Sequence, residues 1–224
     1  MGLAPLPVLG IVTDNPVLEL LKLDGASFEG ENLGQLGRPA LERALRFATA
    51  EDREDFIAGR LALLDFAASL LDVPPDRLVP DYHCPQCGPG QDHGRPGFML
   101  DGGPAPLALS ASRASGWVLL AGVVHPADGL RLGVDLEAIG GVGFEGFDDV
   151  ALTTNEKRFL ASVPESEQTI QRARLWARKE AWLKMTGEGL RNNPAELEVL
   201  DLPGLRDVTE RELPDGLVAA LALG

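Results

Sequence analysis

Four polar side chains at regular spacing make the strongest chemical statement in this chain: Asp135, Glu137, Glu180 and Lys184. In Gly133-Val134-Asp135-Leu136-Glu137 acids alternate with aliphatics. A β-strand would turn both carboxylates to one face and Val134 and Leu136 to the other. Carboxylates set side by side repel unless a proton or a cation sits between them. A hard cation such as Mg²⁺ suits them best, because it takes oxygen ligands and usually binds through one or two carboxylates plus substrate phosphates. In Trp176-Ala177-Arg178-Lys179-Glu180-Ala181-Trp182-Leu183-Lys184 the residue types favour a helix. Trp176, Glu180 and Lys184 then fall at i, i+4 and i+8 on one ridge. Glu180 could supply a third ligand, and Lys184 could meet phosphate oxygens as a point charge. An exposed i,i+4 ion pair, worth only ~0.3–0.5 kcal/mol, would have the same spacing.

Two further patterns invite chemistry that the surrounding residues do not favour. His83-Cys84-Pro85-Gln86-Cys87-Gly88, with His93 nearby, has the residue types of a tetrahedral zinc site. The usual second pair of ligands is missing and His83 and Cys84 are adjacent, which argues against zinc. Gly141-Val142-Gly143-Phe144-Glu145-Gly146 spells Gly-x-Gly-x-x-Gly after a strand. That strand carries two acids in place of a continuous apolar run, and no small-residue helix opens at Gly146, so a flexible loop is expected in place of a nucleotide-binding oxidoreductase site.

Four blocks, in order, resemble the surfactin-type 4′-phosphopantetheinyl transferases. They are Leu109-Ser110-Ala111-Ser112-Arg113-Ala114-Ser115-Gly116-Trp117, the Gly133 to Glu137 segment, Leu152-Thr153-Thr154-Asn155-Glu156, and the Trp176 segment running on to Gly187-Glu188-Gly189-Leu190. The resemblance covers roughly residues 40–200. It implies transfer of the phosphopantetheine arm of coenzyme A to a serine of an apo acyl or peptidyl carrier protein of fatty-acid, polyketide or nonribosomal-peptide synthesis. Adenosine 3′,5′-bisphosphate would be released. It further implies Mg²⁺, or Mn²⁺, held by Asp135, Glu137 and Glu180, with Glu180 and Lys184 at the reacting phosphate. Glu156 matches an acidic position suited to a general base or a metal neighbour. Thr153 and Glu156 also have the spacing of a capping box, and a cap is worth ~1 kcal/mol without any chemistry.

The same resemblance sets Arg53, Arg60, Arg95, Pro96, Ser112, Arg113, Asp135, Lys179 and Lys184 along coenzyme A. Arg113 stands where a histidine usually ends the Ser-x-Ser-His block, and arginine still binds phosphate bidentately. Without gaps, Leu64 takes a position that is usually basic, with Arg60 one helical turn away as a substitute. A catalytically impaired coenzyme A- or carrier-binding homologue is therefore the alternative function. Lys179 lies about 100° around the helix from Glu180 and would face either the substrate edge or solvent.

Composition bounds these expectations. A chain of 224 residues with 45% hydrophobic content suits one large domain or two small lobes. The net charge of −14 argues against a nucleic-acid binder. No apolar stretch is long enough for a membrane span and no basic, apolar leader opens the chain, so a cytoplasmic protein is expected. Two cysteines make no disulfide framework. Lys157, Arg158, Arg172, Arg174, Arg178, Lys179, Lys184 and Arg191 concentrate positive charge between residues 155 and 191, which could form one basic face for an acidic carrier.

The elements that must position these residues follow from periodicity and breakers. A first strand is expected over 7–12 and a glycine-rich loop over 25–37. Thr49-Ala50-Glu51-Asp52 opens a helix with apolar residues from Phe56 to Leu71, ended by Pro74-Pro75. Residues 81–97 read as loop. Strands are expected over 106–112, 117–124 and 131–137, helices over 154–161 and 167–186, and one or two strands in the tail from 196 to 223. The resemblance implies an α+β fold of two similar α/β lobes in a pseudo-two-fold arrangement, each a small, mainly antiparallel sheet packed with helices. Residues 1–105 would form the nucleotide-end lobe and 106–224 the metal and diphosphate lobe, acting together as a monomer.

Overall fold

Strand β1 (Val17–Lys22) is followed by helices α1 (Gly37–Ala44) and α2 (Ala50–Leu71). Short strands come next: β2 (Leu78–Pro80), β3 (Tyr82–Cys84), β4 (Gly88–Gln91), β5 (Phe98–Leu100) and β6 (Gly103–Pro104). The hairpin β7 (Leu107–Ala114) and β8 (Trp117–Val124) leads to β9 (Leu132–Ala138), helices α3 (Phe147–Ala151), α4 (Thr154–Ser162) and α5 (Glu165–Thr186), and strands β10 (Leu205–Asp207) and β11 (Leu217–Leu223). This computed structural model describes residues 15–23, 33–84, 87–209 and 211–224. The strand expected over 7–12 lies outside them, as does most of the stretch expected as loop over 25–37. Among the described residues no helix is long and apolar enough to cross a membrane.

Two three-stranded antiparallel sheets, β1-β8-β7 and β10-β11-β9, carry the α+β architecture. Each is built from the same sequence of parts: a strand, a long helix, then two antiparallel strands, of which the last pairs with the first. Strand pairing thus groups the 107–124 hairpin with β1 and α2, and groups β9 with α5, β10 and β11. The repeat is invisible in the letters because only the placement of apolar residues is shared.

Packing follows four layers. Leu63, Leu64, Phe66 and Ala67 of α2 pack on Leu109, Val118 and Leu120 of the first sheet. The opposite face of that sheet, with Leu119, Ala121 and Val123, meets Val134, Leu136, Ala219 and Leu221 of the second. Ala173, Ala177 and Ala181 of α5 then cover Val218, Ala220 and Ala222 on the far side. The alternation in β9 is the reason for its orientation: Val134 and Leu136 are 0% and 1% exposed between the sheets, so Asp135 and Glu137 must turn toward α5.

Local chemistry sets the element ends. Thr49 Oγ1 accepts the Asp52 N–H at 3.0 Å and caps α2, which ends at Asp72 in a left-handed conformation ahead of Pro74. The loop expected over 81–97 instead forms the β3–β4 hairpin and a bridge between His83 and Arg95. The expected flexible loop over 141–146 is also more ordered, holding a 3-10 turn at Ile139–Val142 that runs into α3. Val142 and Phe147 are buried there, with the Phe147 ring edge-on to Trp176 at 5.6 Å. Apolar side chains inside glycine-rich stretches outweighed the breaker signal.

Candidate active site

Helix α5 crosses β9 at Gly133, where an added Cβ would fall 2.0 Å from the Ala181 carbonyl oxygen and 2.6 Å from the Met185 nitrogen. Only glycine allows that approach, and it brings Lys184 down onto Asp135. The Lys184 Nζ lies 2.6 Å from Asp135 Oδ1 and donates to Ser112 Oγ at 2.9 Å. Ser112 Oγ donates to the same carboxylate oxygen at 2.8 Å. Two residues back on β7, Ser110 Oγ accepts the Val134 N–H at 3.0 Å, so the Ser-x-Ser spacing stitches the edge of one sheet to β9 of the other.

Asp135 is 2% exposed, and its Oδ2 is buried with no partner. A buried oxygen left unpaired costs about 1–3 kcal/mol, and its persistence beside other acids is what a cation ligand requires. Burial raises the pKa of Asp135, while Lys184, Ser112 and Glu137 draw it down. Glu137 is pushed up to about 7 by burial, then by Asp135 and Glu180, against Lys184 and a hydrogen bond from Trp176. Glu180 is raised by burial and by Asp135, with Lys184 opposing. The mutual repulsion expected from the sequence is therefore present, and the cation that moderates it in this arrangement is the Lys184 ammonium. The three carboxylates are set more openly than Cys84, Cys87 and His93, which are the group whose ligand atoms all lie within 4.8 Å among the described residues.

A groove leads away from Lys184. One cavity of about 280 Å³ is lined by Glu180, Lys184, Arg60, Arg95 and Pro96, and an adjoining one of about 260 Å³ by Ser112, Arg113, Arg43, Arg60 and again Lys184. Arg43, Arg60 and Arg113 gather around Phe56, their guanidinium carbons 5.2, 5.1 and 5.6 Å from its ring centroid. Arg60 also stacks on Tyr82 at 4.0 Å. One buried acid, Asp92, holds the pair: its carboxylate meets Arg60 at 2.9 Å, and its carbonyl accepts from Arg60 at 3.0 Å and from Arg43 at 2.5 Å. The Arg113 pKa is lowered by burial and by Arg60 and Arg43, with Asp55 and Asp52 partly offsetting this. Concentrated positive charge on a buried aromatic platform suits a polyanion.

Comparison with known proteins bears on this geometry directly. Residues 131–215 match the family model of the 4′-phosphopantetheinyl transferase superfamily. The match takes in β9, α5 and β10, and with them Asp135, Glu137, Glu180 and Lys184. The chain is 27% identical over 198 residues to the 4′-phosphopantetheinyl transferase HetI of Nostoc sp., an alignment that takes in 88% of this chain and 77% of that protein.

Several residues that the superfamily resemblance suggested take other places. Glu156 and Lys179 are both 0% exposed and form an ion pair at 2.7 Å. Glu156 closes a full capping box with Thr153 and also accepts the Val199 N–H at 3.0 Å. Lys179 donates to the Pro194 and Leu197 carbonyls, and burial lowers its pKa against the pull of Glu156. Neither is exposed and neither lines the two cavities, so in this arrangement Glu156 serves as a helix cap and Lys179 as its buried partner. Arg53 lines neither cavity. Leu64 is 1% exposed in the core beneath α2, and it is Arg60, one turn away, that faces the groove. Arg95 reaches across to the Met185 carbonyl at 3.0 Å.

The basic stretch does not make an open positive face. Lys157 pairs with Asp149, Arg172 with Asp148, Arg174 and Arg178 with Asp207, Lys179 with Glu156 and Lys184 with Asp135. Arg43 is the groove residue that sequence reasoning missed. Its signal lay in Gly37-Arg38-Pro39-Ala40-Leu41-Glu42-Arg43-Ala44, a helix with Ala40 and Ala44 buried one turn apart, but the first helix was expected only from Thr49.

Proposed function

We propose that this protein is a 4′-phosphopantetheinyl transferase, which transfers the 4′-phosphopantetheine arm of coenzyme A to a serine of an apo acyl or peptidyl carrier protein and releases adenosine 3′,5′-bisphosphate. The observation that carries this reading is the continuity of the groove through Lys184, with an arginine cluster on one side of it, Glu180 on the other, and the buried, unpartnered Asp135 oxygen on the carboxylate that holds the Lys184 ammonium. Coenzyme A carries a diphosphate and a separate ribose phosphate, two anionic points that such a groove can hold at once. Arg43, Arg60 and Arg113 would bind the ribose phosphate, and Arg95 and Pro96 would wall the path between. Lys184, already anchored by Asp135 and Ser112, is placed to meet the leaving phosphate as charge develops.

Asp135, Glu137 and Glu180 fit a divalent cation, Mg²⁺ or Mn²⁺, because they are one buried and two half-buried acids with raised pKa values, and Asp135 carries an orphaned oxygen. When bound, such an ion would supply charge neutralisation at the diphosphate. Glu180 lines the groove, and we assign it the serine proton, since the buried Glu156 cannot reach it. The lobes would divide at 125–131, between the two sheet repeats, and work as a monomer in the cytoplasm. The burial of Leu64 and the place of Arg60 at the groove favour an active enzyme over the impaired-homologue alternative.

Intact-mass spectrometry of apo carrier proteins from fatty-acid, polyketide and nonribosomal-peptide systems, incubated with this protein, coenzyme A and Mg²⁺, tests the proposal. An increment of one phosphopantetheine arm that EDTA abolishes is expected. Unmodified carriers in every case, with the protein folded, would overturn it.

A further inference from the structure

We propose that Cys84, Cys87 and His93 form a zinc site that fastens the segment carrying Asp92, Arg95 and Pro96 to the β3–β4 hairpin. The ligand atoms of the three residues all lie within 4.8 Å of one another, with Cys84 buried and Cys87 and His93 exposed. Tetrahedral zinc, with bonds of about 2.3 Å to sulfur and 2.0–2.1 Å to nitrogen, requires donors ~3.4–3.8 Å apart, which rotation of the two exposed side chains supplies. Two thiolates and an imidazole select zinc over the hard cation expected at Asp135. Three protein donors leave the fourth position to solvent.

The backbone explains why the third ligand arrives, which the sequence spacing alone did not show. His83 and Arg95 exchange hydrogen bonds at 3.0 and 2.9 Å. Between His93 and Arg95, Gly94 has φ +95, and a Cβ there would fall 2.3 Å from the His83 oxygen and 2.8 Å from Cys84 Cα. Glycine lets the two segments touch, and His93 is thereby brought against the Cys84 end of β3. Cys84 pairs with Gly88 across the hairpin, and Cys87, next to Gly88, lies at the same point.

The β3–β4 pair is a two-stranded sheet of its own, and such a hairpin is marginal in water. The segment it holds matters to the groove. Asp92 anchors Arg60 and Arg43, while Arg95 spans to Met185 at the end of α5. Zinc would thus act as a positioning device for coenzyme A binding, a consequence that rests on the function proposed above.

The metal content of protein purified without chelators, and its absorption after replacement by Co²⁺, test the site without any transfer assay. One zinc per chain is expected, with thiolate-to-cobalt charge-transfer bands in the Co²⁺ form, and both should be lost in C87S and in H93Q, whose positions are exposed. With an active carrier pair, zinc removal should raise the KM for coenzyme A at least about tenfold with a smaller fall in kcat, because misplaced binding groups weaken substrate positioning. Zinc bound without transfer on any carrier would sink the functional reading and leave the site standing. A protein that takes up neither Zn²⁺ nor Co²⁺, or whose intact mass shows a Cys84–Cys87 disulfide in place of metal, would overturn the zinc proposal.

Discussion

Helix α5 carries two lysine–carboxylate pairs five residues apart, Lys179 with Glu156 and Lys184 with Asp135, and the same chemistry serves opposite ends. Both are short, at 2.7 and 2.6 Å, and three of the four groups are almost wholly buried. In the first pair every demand is met: Glu156 accepts from the Thr153 and Val199 amides, and Lys179 donates to two carbonyls. In the second, Asp135 keeps an unpartnered oxygen, Lys184 remains a third exposed, and two further acids lie close. A saturated buried pair is a structural fastening. A buried pair with unused capacity, open to a groove, is a place where a ligand can complete the coordination.

The comparison can be broken at either pair. Asp135→Asn keeps shape and removes the charge, and turnover should fall by about 10²–10³-fold or more, the scale of losing a main electrostatic contact at a reacting phosphate. Its melting temperature should stay near wild type; a folded, fully active variant would refute the site. Lys179→Met strands Glu156 as a buried charge and should cost about 3–5 kcal/mol of stability by denaturant titration, while turnover per folded molecule stays close to wild type. Loss of catalysis without loss of stability would place Lys179 in the reaction after all.

Smaller effects sharpen the picture at the groove. Arg43→Ala should raise the KM for coenzyme A about tenfold with little change in kcat, since it removes ground-state binding; an unchanged KM would remove Arg43 from the site. The pH dependence has a definite sign. The folded pKa of Glu137, about 7, lies above its ordinary value, so the folded state favours the protonated acid and its stabilising contribution is present at low pH and lost as pH rises through 7. Thermal melts of metal-free protein should therefore show a fall in stability between pH 5 and 8 that Glu137→Gln flattens. Stabilisation by added Mg²⁺ should grow over the same range, because the ligands must deprotonate.

What the sequence made legible was local. That Asp135, Glu137, Glu180 and Lys184 come together was readable because two periods, two residues in a strand and four in a helix, act within single elements. Thr49 and Thr153 marked helix starts for the same reason. Arg43 stayed hidden because its role is set by meeting Arg60, Arg113 and Phe56 from other parts of the chain. For Glu156 the capping-box spacing was legible, but the burial of Glu156 and Lys179 together depends on the 194–199 segment folding over them, which no spacing within α4 or α5 reveals. His93 joined Cys84 and Cys87 only through the close approach at Gly94.

The most direct test of the central contrast is a parallel assay of wild type, Asp135→Asn and Lys179→Met. Each would be incubated with one apo carrier, coenzyme A and Mg²⁺, and the modified carrier counted by intact mass per folded enzyme molecule. The account predicts modification by wild type and Lys179→Met at similar rates and almost none by Asp135→Asn. Equal rates for Asp135→Asn and wild type would contradict it.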